Sequence, residues 1–232
     1  MQKAAFIRAI ERHPGVGPAW ARTSPSRKER METIIERECA GAAADGADVL
    51  HLVPGGYPVT IDVAQASIGG EGTAMHFALP LRGHNLPLMH AQESKLLVAL
   101  AGVLDIRSGG RSIALLNEGD AVVLHAGIAH RVHQHGEQPS VAGVALWPGA
   151  VEDAFRALDA AAARDGYDRA AMIAVLAGYG ISWDSAAGAA PQAVKVGPLA
   201  AQLPGLPPRL AAALRRCWVQ QGARYTPAGR PA

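Results

Sequence analysis

The stretch KLLVALAGVLDIRSGGRSIALLNEGDAVVLHAGIAHRVHQH, residues 95–135, carries the clearest indication of the fold class. It consists of short runs rich in apolar and β-branched residues, separated by turns such as Ser108-Gly109-Gly110 and Asn117-Glu118-Gly119. Glycine supplies the positive φ that tight hairpin turns require. Parallel neighbours would need a crossover connection, usually a helix, and these turns are too short for one. The stretch therefore predicts consecutive antiparallel strands.

The same pattern extends outward in both directions, from about residue 48 to residue 147. Short runs with a period of two recur at regular spacing, and glycine-rich turns separate them. We expect strands at Val49–Val53, Val59–Val63, Ala74–Leu81, Leu96–Leu100, Val103–Arg107, Arg111–Leu116, Ala121–Leu124, Arg131–His135 and Val141–Trp147. Many short strands without long helices between them predict a mainly β fold, an antiparallel sandwich or barrel.

The flanking regions have a helical period instead. Residues 1–47 are predicted to form an N-terminal helical segment before the barrel of residues 48–149. Residues 150–185 are predicted to form a helical C-terminal extension, and residues 186–232 a basic tail rich in proline and alanine with a short helix. Within that tail, residues 186–208 have two interpretations: a segment ordered by docking, or a loose linker.

The composition indicates a globular protein with a core of its own. The chain has 232 residues, of which 49% are hydrophobic and 18% charged, and its mean hydropathy is +0.08. We expect no membrane segment, because no stretch approaches the roughly 18 apolar residues of a membrane-spanning helix. The N-terminus carries charges where a secretory peptide would be apolar, so we expect a cytoplasmic location. The two cysteines are too few for a disulfide framework.

The charge is unevenly distributed along the chain. Residues 185–232 contain six basic residues and no acidic residue, whereas the first 184 residues sum to −4. Without interleaved aromatic residues, this basic tail is a weak indication of nucleic-acid binding, so we expect no nucleic-acid partner. We expect a homodimer, because an antiparallel barrel leaves edge strands that a second subunit would cover.

Histidines are concentrated in the predicted strand region. Seven of the nine lie between residues 76 and 135: His76, His84, His90, His125, His130, His133 and His135. Barrel strands point alternate side chains inward and can bring distant histidines together. This clustering indicates a polar site at the mouth of the barrel.

Two motifs in this region resemble those of the cupin family, over about residues 74–147. The family's first motif, G(X)5HXH(X)3-4E(X)6G, ends at Gly102, which puts Leu88, His90 and Lys95 at its histidine, histidine and glutamate positions. The second motif, G(X)5PXG(X)2H(X)3N, matches Gly119, Gly127 and His130, with His125 at the proline position and Gln134 at the asparagine position. The resemblance implies a cupin-type β-barrel, also called a jelly roll.

The resemblance implies a site for iron, manganese, nickel or zinc, but only His90 and His130 remain of the four expected ligands. A catalytic metal site usually has three protein ligands. His84 would be the first choice for a third ligand, with His76 or Glu93 as others. The ammonium group of Lys95 would repel a divalent cation at short range. The sequence therefore leaves the presence of a metal undecided.

Lys95 has three interpretations from sequence. As an ammonium group it would anchor a carboxylate or phosphate; with its pKa lowered by burial it would be a general base or Schiff-base nucleophile; or its stem would carry the charge to water. His130 is the second candidate catalytic residue. The predicted ligand-binding set is His90, Lys95, His130, Leu88, Leu97 and His125.

Two classes of function follow. The family contains dioxygenases, isomerases, epimerases and decarboxylases, and the chain resembles its compact single-barrel bacterial members. The first hypothesis is therefore a barrel that binds a small, anionic organic molecule and acts on it as an enzyme of the isomerase, decarboxylase or dioxygenase type. The alternative is a ligand-binding or sensing barrel without metal and without catalysis.

Overall fold

The computed structural model describes residues 48–52, 56–165, 168–183 and 194–220. The predicted N-terminal helical segment, residues 1–47, lies outside these ranges, as do residues 184–193 and the end of the chain. The described part is an antiparallel β structure with helices that follow it. The prediction of a mainly β, antiparallel fold with a helical C-terminal extension is confirmed.

Within the described ranges, twelve strands form three sheets. The strands are β1 (Asp48–Leu50), β2 (Val59–Val63), β3 (Thr73–Leu79), β4 (Leu88–His90), β5 (Ser94–Ala101), β6 (Val103–Ser108), β7 (Arg111–Leu116), β8 (Asp120–Leu124), β9 (Arg131–His135), β10 (Ser140–Trp147), β11 (Ile181–Trp183) and β12 (Val196–Pro198). The large sheet has the order β1-β2-β3-β10-β5-β8-β12, the second β7-β6-β9, and a small one pairs β11 with β4. All pairings are antiparallel.

The helices follow strand β10 for the most part. They are α1 (Val151–Asp165), α2 (Arg169–Ala177), α3 (Leu199–Gln202) and α4 (Pro208–Leu214). Short 3-10 helices lie at Gln65–Ile68 and Leu203–Gly205, and a π-helical turn at Arg215–Val219 continues α4. None of the described helices is both long enough and apolar enough to cross a membrane.

Strand β5 is buried on both faces, which explains its unbroken apolar sequence. Leu97 and Ala99 point into the main core between the two larger sheets, together with Leu104 and Ile106 of β6. The alternate residues of β5, among them Leu96, point to a second core on the opposite face of the large sheet. Successive side chains of a strand point to opposite faces, so one strand serves two cores.

The C-terminal segment forms the other half of that second core. Leu199, Leu203, Leu210, Leu214 and Trp218 pack on the large sheet. Strand β12 also extends this sheet by pairing with β8. Residues 186–208 had two interpretations, a segment ordered by docking or a loose linker. From residue 194 onward, the described residues dock on the large sheet. The linker interpretation is wrong for residues 194–208, because apolar residues spaced along this segment are buried against the sheet.

Two glycines are required by close packing. Gly102 joins β5 to β6 with φ of 71°, and a Cβ there would lie 2.7 Å from Oγ of Ser140. Gly143 in β10 has no positive φ, but a Cβ there would lie about 3 Å from the side chains of Leu100 and Trp218. The side chain of Trp218 therefore lies over a strand position that only glycine leaves free.

Candidate functional site

A cavity of about 50 Å³ lies among the strands of the large sheet, strand β4 and helix α1. One ordered water needs about 10–15 Å³ by this measure, so the cavity has room for a compact ligand. Most of its wall is hydrocarbon or aromatic. The residues of this wall are Leu52, Tyr57, Val59, Met75, Phe77, Leu86, Leu88, Leu97, Val144, Leu146 and Phe155.

The polar residues of the cavity wall are His90, Lys95, His130 and Asn85. The first three come from β4, from β5 and from the residue preceding β9. A backbone hydrogen bond joins the first motif to the second: Gly127 N donates to the carbonyl oxygen of His90 at 2.8 Å. The fold therefore brings His90, Lys95 and His130 to the same cavity as Leu88 and Leu97.

Lys95 is buried, with 4% of its surface exposed. Strand β5 pairs with β8 and β10 on its two sides, where Lys95 lies opposite Leu124 and Leu146. Burial lowers the pKa of Lys95 to about 7, against the opposing effect of the Glu93 charge. At neutral pH this side chain therefore exists both as an ammonium ion and as a free amine.

His130 is fixed in one tautomer. Its Nδ1 lies 3.0 Å from the carbonyl oxygen of Ile128, which can only accept, so Nδ1 carries the proton and donates it. Nε2 of the neutral ring is then an acceptor. Burial, and secondly the charge of Lys95, lower the pKa of His130 to about 3. His130 is therefore neutral at physiological pH.

His90 is also neutral. Burial lowers its pKa well below the usual value, and the positive charge of Lys95 acts in the same direction. Its ring meets Phe155 edge-on, with the ring centres 6.4 Å apart. A cavity with one amine and two neutral imidazoles can give and receive hydrogen bonds, and Lys95 is the group in its wall that carries a positive charge.

This donor set does not fit the divalent metal that cupin motifs imply. Two imidazoles remain, but the glutamate position holds the amine of Lys95 and the first histidine position holds the hydrocarbon of Leu88. Within the described ranges, no three histidine, cysteine or carboxylate side chains are grouped so as to hold a metal ion. A protonated Lys95 would also repel a cation in this position.

His84, the suggested third ligand, lies elsewhere. It is exposed, its Nδ1 lies 2.9 Å from the carbonyl oxygen of Asn85, and its ring is 5.4 Å from the ring of His133. An isolated bridge pairs it with His133 of β9, whose side chain points away from the core. His84 therefore does not join His90 and His130.

His125, predicted to contact the ligand, is exposed and is not part of the cavity wall. It directly follows Leu124, which ends β8 with its side chain in the main core. Successive residues of an extended chain point to opposite sides, so His125 points away from the core. Its assignment to the ligand-binding set is corrected accordingly.

Asn85, Tyr57 and Phe155 are among the residues of the cavity wall that sequence reasoning missed. Asn85 Oδ1 accepts from Val132 N at 2.8 Å, which ties the β3–β4 connection to strand β9. Tyr57 stacks on Phe77 with ring centres 4.9 Å apart. Phe155 lies on helix α1, and no sequence signal indicated that this helix would contribute to the cavity wall.

The glycines of the two motifs have the backbone conformations that their turns require. Gly102, Gly119 and Gly127 have φ values of 71°, 85° and 79°. Each lies in a connection between antiparallel strands of two sheets that enclose one core. The glycines of the two motifs therefore lie at the connections that this sheet topology requires. The chain has the cupin fold. Helices α1 and α2 pack against the main core.

The known proteins that the chain resembles are solved structures, and each of three such matches covers less than half of the chain. No protein-family model and no curated protein sequence matches the chain. Among solved structures, it is similar to an uncharacterised protein with a double-stranded beta-helix domain from Klebsiella pneumoniae, at 15% identity and a TM-score of 0.33, covering 35% of this chain and 66% of that one.

Two further solved structures are similar to parts of the chain. One is a sugar phosphate isomerase from a cupin superfamily of Silicibacter pomeroyi, at 15% identity and a TM-score of 0.32, covering 38% of this chain and 58% of that one. The other is a predicted oxalate decarboxylase from Thermotoga maritima, at 15% identity and a TM-score of 0.36, covering 43% and 90%. Likeness at this level carries no conclusion about activity.

Proposed function

We propose that this cupin binds a small organic anion in its barrel cavity, with Lys95 as the charged contact. Lys95 carries the proposal because it is buried in a mostly apolar wall and, among the described residues, no carboxylate forms an ion pair with it. A buried charge without a partner is costly. A bound carboxylate would supply that partner.

The remaining cavity residues support an organic rather than an inorganic anion. The neutral ring of His90 offers an N–H group beside the amine, and Leu88 and Leu97 offer hydrocarbon surface. A carboxylate with a short carbon chain would use both. Such a mostly apolar pocket with a few convergent polar groups is typical of small-molecule sites.

The test measures thermal stabilisation by short carboxylates. Acetate, propionate, lactate and pyruvate should each raise the melting temperature, and the uncharged amide propionamide should do so much less. Lys95→Met should weaken carboxylate binding at least about tenfold, or about 1.4 kcal/mol. Lys195→Met, which changes an exposed lysine, should leave it unchanged. Equal binding to the wild type and to Lys95→Met would reject the proposal.

Catalysis and passive binding are separate versions of this proposal. An enzyme of the isomerase, decarboxylase or dioxygenase type would convert a carboxylate that it binds, whereas a sensing barrel would release it unchanged. Metal analysis of the purified protein divides the enzyme version further, because near-stoichiometric iron, manganese, nickel or zinc would favour a metalloenzyme. Incubation of bound carboxylates followed by product analysis separates turnover from binding.

A further inference from the structure

The amine of Lys95 is enclosed without a fixed counter-ion. Its side chain lines the cavity beside the rings of His90 and His130, which are both uncharged at neutral pH. The charge of Glu93 acts on Lys95, but the two side chains do not form an ion pair. An amine in such surroundings keeps its lone pair available, which is the state that attacks a carbonyl group.

We propose that Lys95 forms an imine with a short 2-oxo acid bound in this cavity. This inference rests on the proposed function and names its ligand class. The Nζ lone pair forms a bond to the carbonyl carbon while the C=O π pair moves to oxygen, and a proton passes from nitrogen to that oxygen. The hydroxyl group then leaves with the second N–H proton as water, and a C=N bond remains. No oxidant or reductant is consumed.

A 2-oxo acid fits this amine better than a simple aldehyde does. When the imine nitrogen is protonated, its positive charge lies next to the carboxylate of the same molecule. The buried site then holds an ion pair instead of an isolated ion, and the attraction between the two charges offsets part of the cost of burial. Before the reaction, the same carboxylate pairs with the ammonium form of Lys95.

The cavity also limits the size of the molecule. Its volume of about 50 Å³ and the side chains of Leu97 and Phe155 leave space for a compact acid with a short alkyl group. Nε2 of His130 is an acceptor, because Nδ1 donates to Ile128 O, and it can accept from the hydroxyl of the intermediate carbinolamine. In this role His130 contacts the reacting group directly.

The experiment incubates the full-length protein at pH 7 with sodium pyruvate and sodium cyanoborohydride, which reduces an iminium ion to a stable secondary amine. The chain has four lysines, Lys3, Lys28, Lys95 and Lys195, so peptide mapping assigns the adduct directly. We expect labelling of Lys95 at least about tenfold above that of any other lysine, because an ordinary lysine is almost fully protonated at this pH. Lactate, which has no carbonyl group, should give no adduct.

Two variants extend the test. Lys95→Met should lose the adduct, and Lys195→Met should keep it; the wild-type peptide map decides the question even if Lys95→Met does not fold. An adduct that is absent from Lys95, or spread evenly over the four lysines, overturns the inference. If pyruvate and lactate both stabilise the protein but no adduct forms, the imine is rejected and anion binding stands. If neither stabilises it and no adduct forms, both proposals are rejected.

Discussion

Nδ1 of His90 lies 3.8 Å from Oε2 of Glu93, and both atoms are buried without a hydrogen-bond partner. The distance is too long for a hydrogen bond. Glu93 therefore acts on the cavity mainly through its charge, which opposes the effect of burial on the pKa of Lys95. The buried carboxylate of Glu93 therefore lies near the ring of His90, and its negative charge favours the ammonium form of Lys95.

Glu93→Gln should move the pH profile of anion binding downward. Without the carboxylate, burial acts on Lys95 unopposed, so the pKa of Lys95 falls below about 7 and less of it is protonated at neutral pH. Titration calorimetry with propionate from pH 5 to 9 measures the profile. Glu118→Gln, which changes an exposed glutamate in the β7–β8 turn, is the matched control. An unchanged profile in Glu93→Gln would contradict this role.

The affinity of the wild type for carboxylates should fall as the pH rises above about 7. Below that pH Lys95 is protonated and pairs with the anion; above it the unliganded amine is neutral. The loss should approach about tenfold per pH unit until the pKa of Lys95 in the complex is reached. His90 and His130, which face Lys95, stay neutral over this range, and Glu93 is the other ionisable group that acts on it. A flat profile between pH 7 and 9 would exclude Lys95 as the charged contact.

Lys95→Met should stabilise the protein at pH 7. In the unfolded chain this lysine stays protonated up to about pH 10.5, whereas the folded state releases the proton near pH 7. The unfolded state therefore binds more protons between these values, and the free energy of unfolding of the wild type should rise with pH in that window. We expect a gain of about 2–4 kcal/mol from the substitution at pH 7.

Urea denaturation at pH 7, 8 and 9 measures this effect. The advantage of Lys95→Met over the wild type should shrink as the pH rises, because the wild type loses its buried charge. Lys195→Met provides the control, since that side chain is exposed and its removal should change the free energy of unfolding by less than about 0.5 kcal/mol. Destabilisation by Lys95→Met would show that the amine is satisfied in the fold without a ligand.

The expected homodimer stays a prediction. In the described part of the chain, the large sheet ends at the three-residue strands β1 and β12, and the second sheet ends at β7 and β9. Exposed strand edges favour pairing with another chain. Multi-angle light scattering at micromolar concentration should give the mass of two chains, and the mass of one chain would contradict the prediction.

Strands and turns could be predicted from the sequence where their signal depends on residues close together in the chain. The predicted strand at Val59–Val63 agrees with the observed one, and glycine turns fixed the hairpin at Ser108-Gly109-Gly110. Strand β4 has three residues and gave no periodic signal, although it carries His90. Strand β12 was missed because it forms only by pairing with β8, a contact between distant segments.

The site could be predicted only in part, for a similar reason. The motif spacing predicted that His90, Lys95 and His130 would line one cavity, and they do, because a strand or a turn fixes each position. His125 directly follows strand β8, and its side chain points to the side opposite that of Leu124, away from the core. Asn85 and Phe155 reach the cavity through the packing of a long connection and of helix α1, which no local pattern specifies.

Trp218 should be essential for the stability of the barrel, although it lies near the end of the described chain. It is 3% exposed, packs over Gly143, and donates from Nε1 to Oδ2 of Asp62 at 2.8 Å. Trp218→Ala should cost about 3–5 kcal/mol, because it removes a large side chain from the second core. Val219→Ala is the matched control, since the neighbouring Val219 is 43% exposed and its truncation should change stability by less than about 0.5 kcal/mol.

Trp218→Phe separates packing from hydrogen bonding. It keeps most of the ring but removes the N–H donor, while Oδ2 of Asp62 keeps its contact with Nδ1 of His76 at 2.8 Å. Because the carboxylate is not orphaned, we expect a cost of about 1–2 kcal/mol, smaller than that of Trp218→Ala. Urea denaturation of the three variants at pH 7 gives the order. Equal stability of Trp218→Ala and Val219→Ala would show that the side chain of Trp218 contributes no packing energy to the sheet.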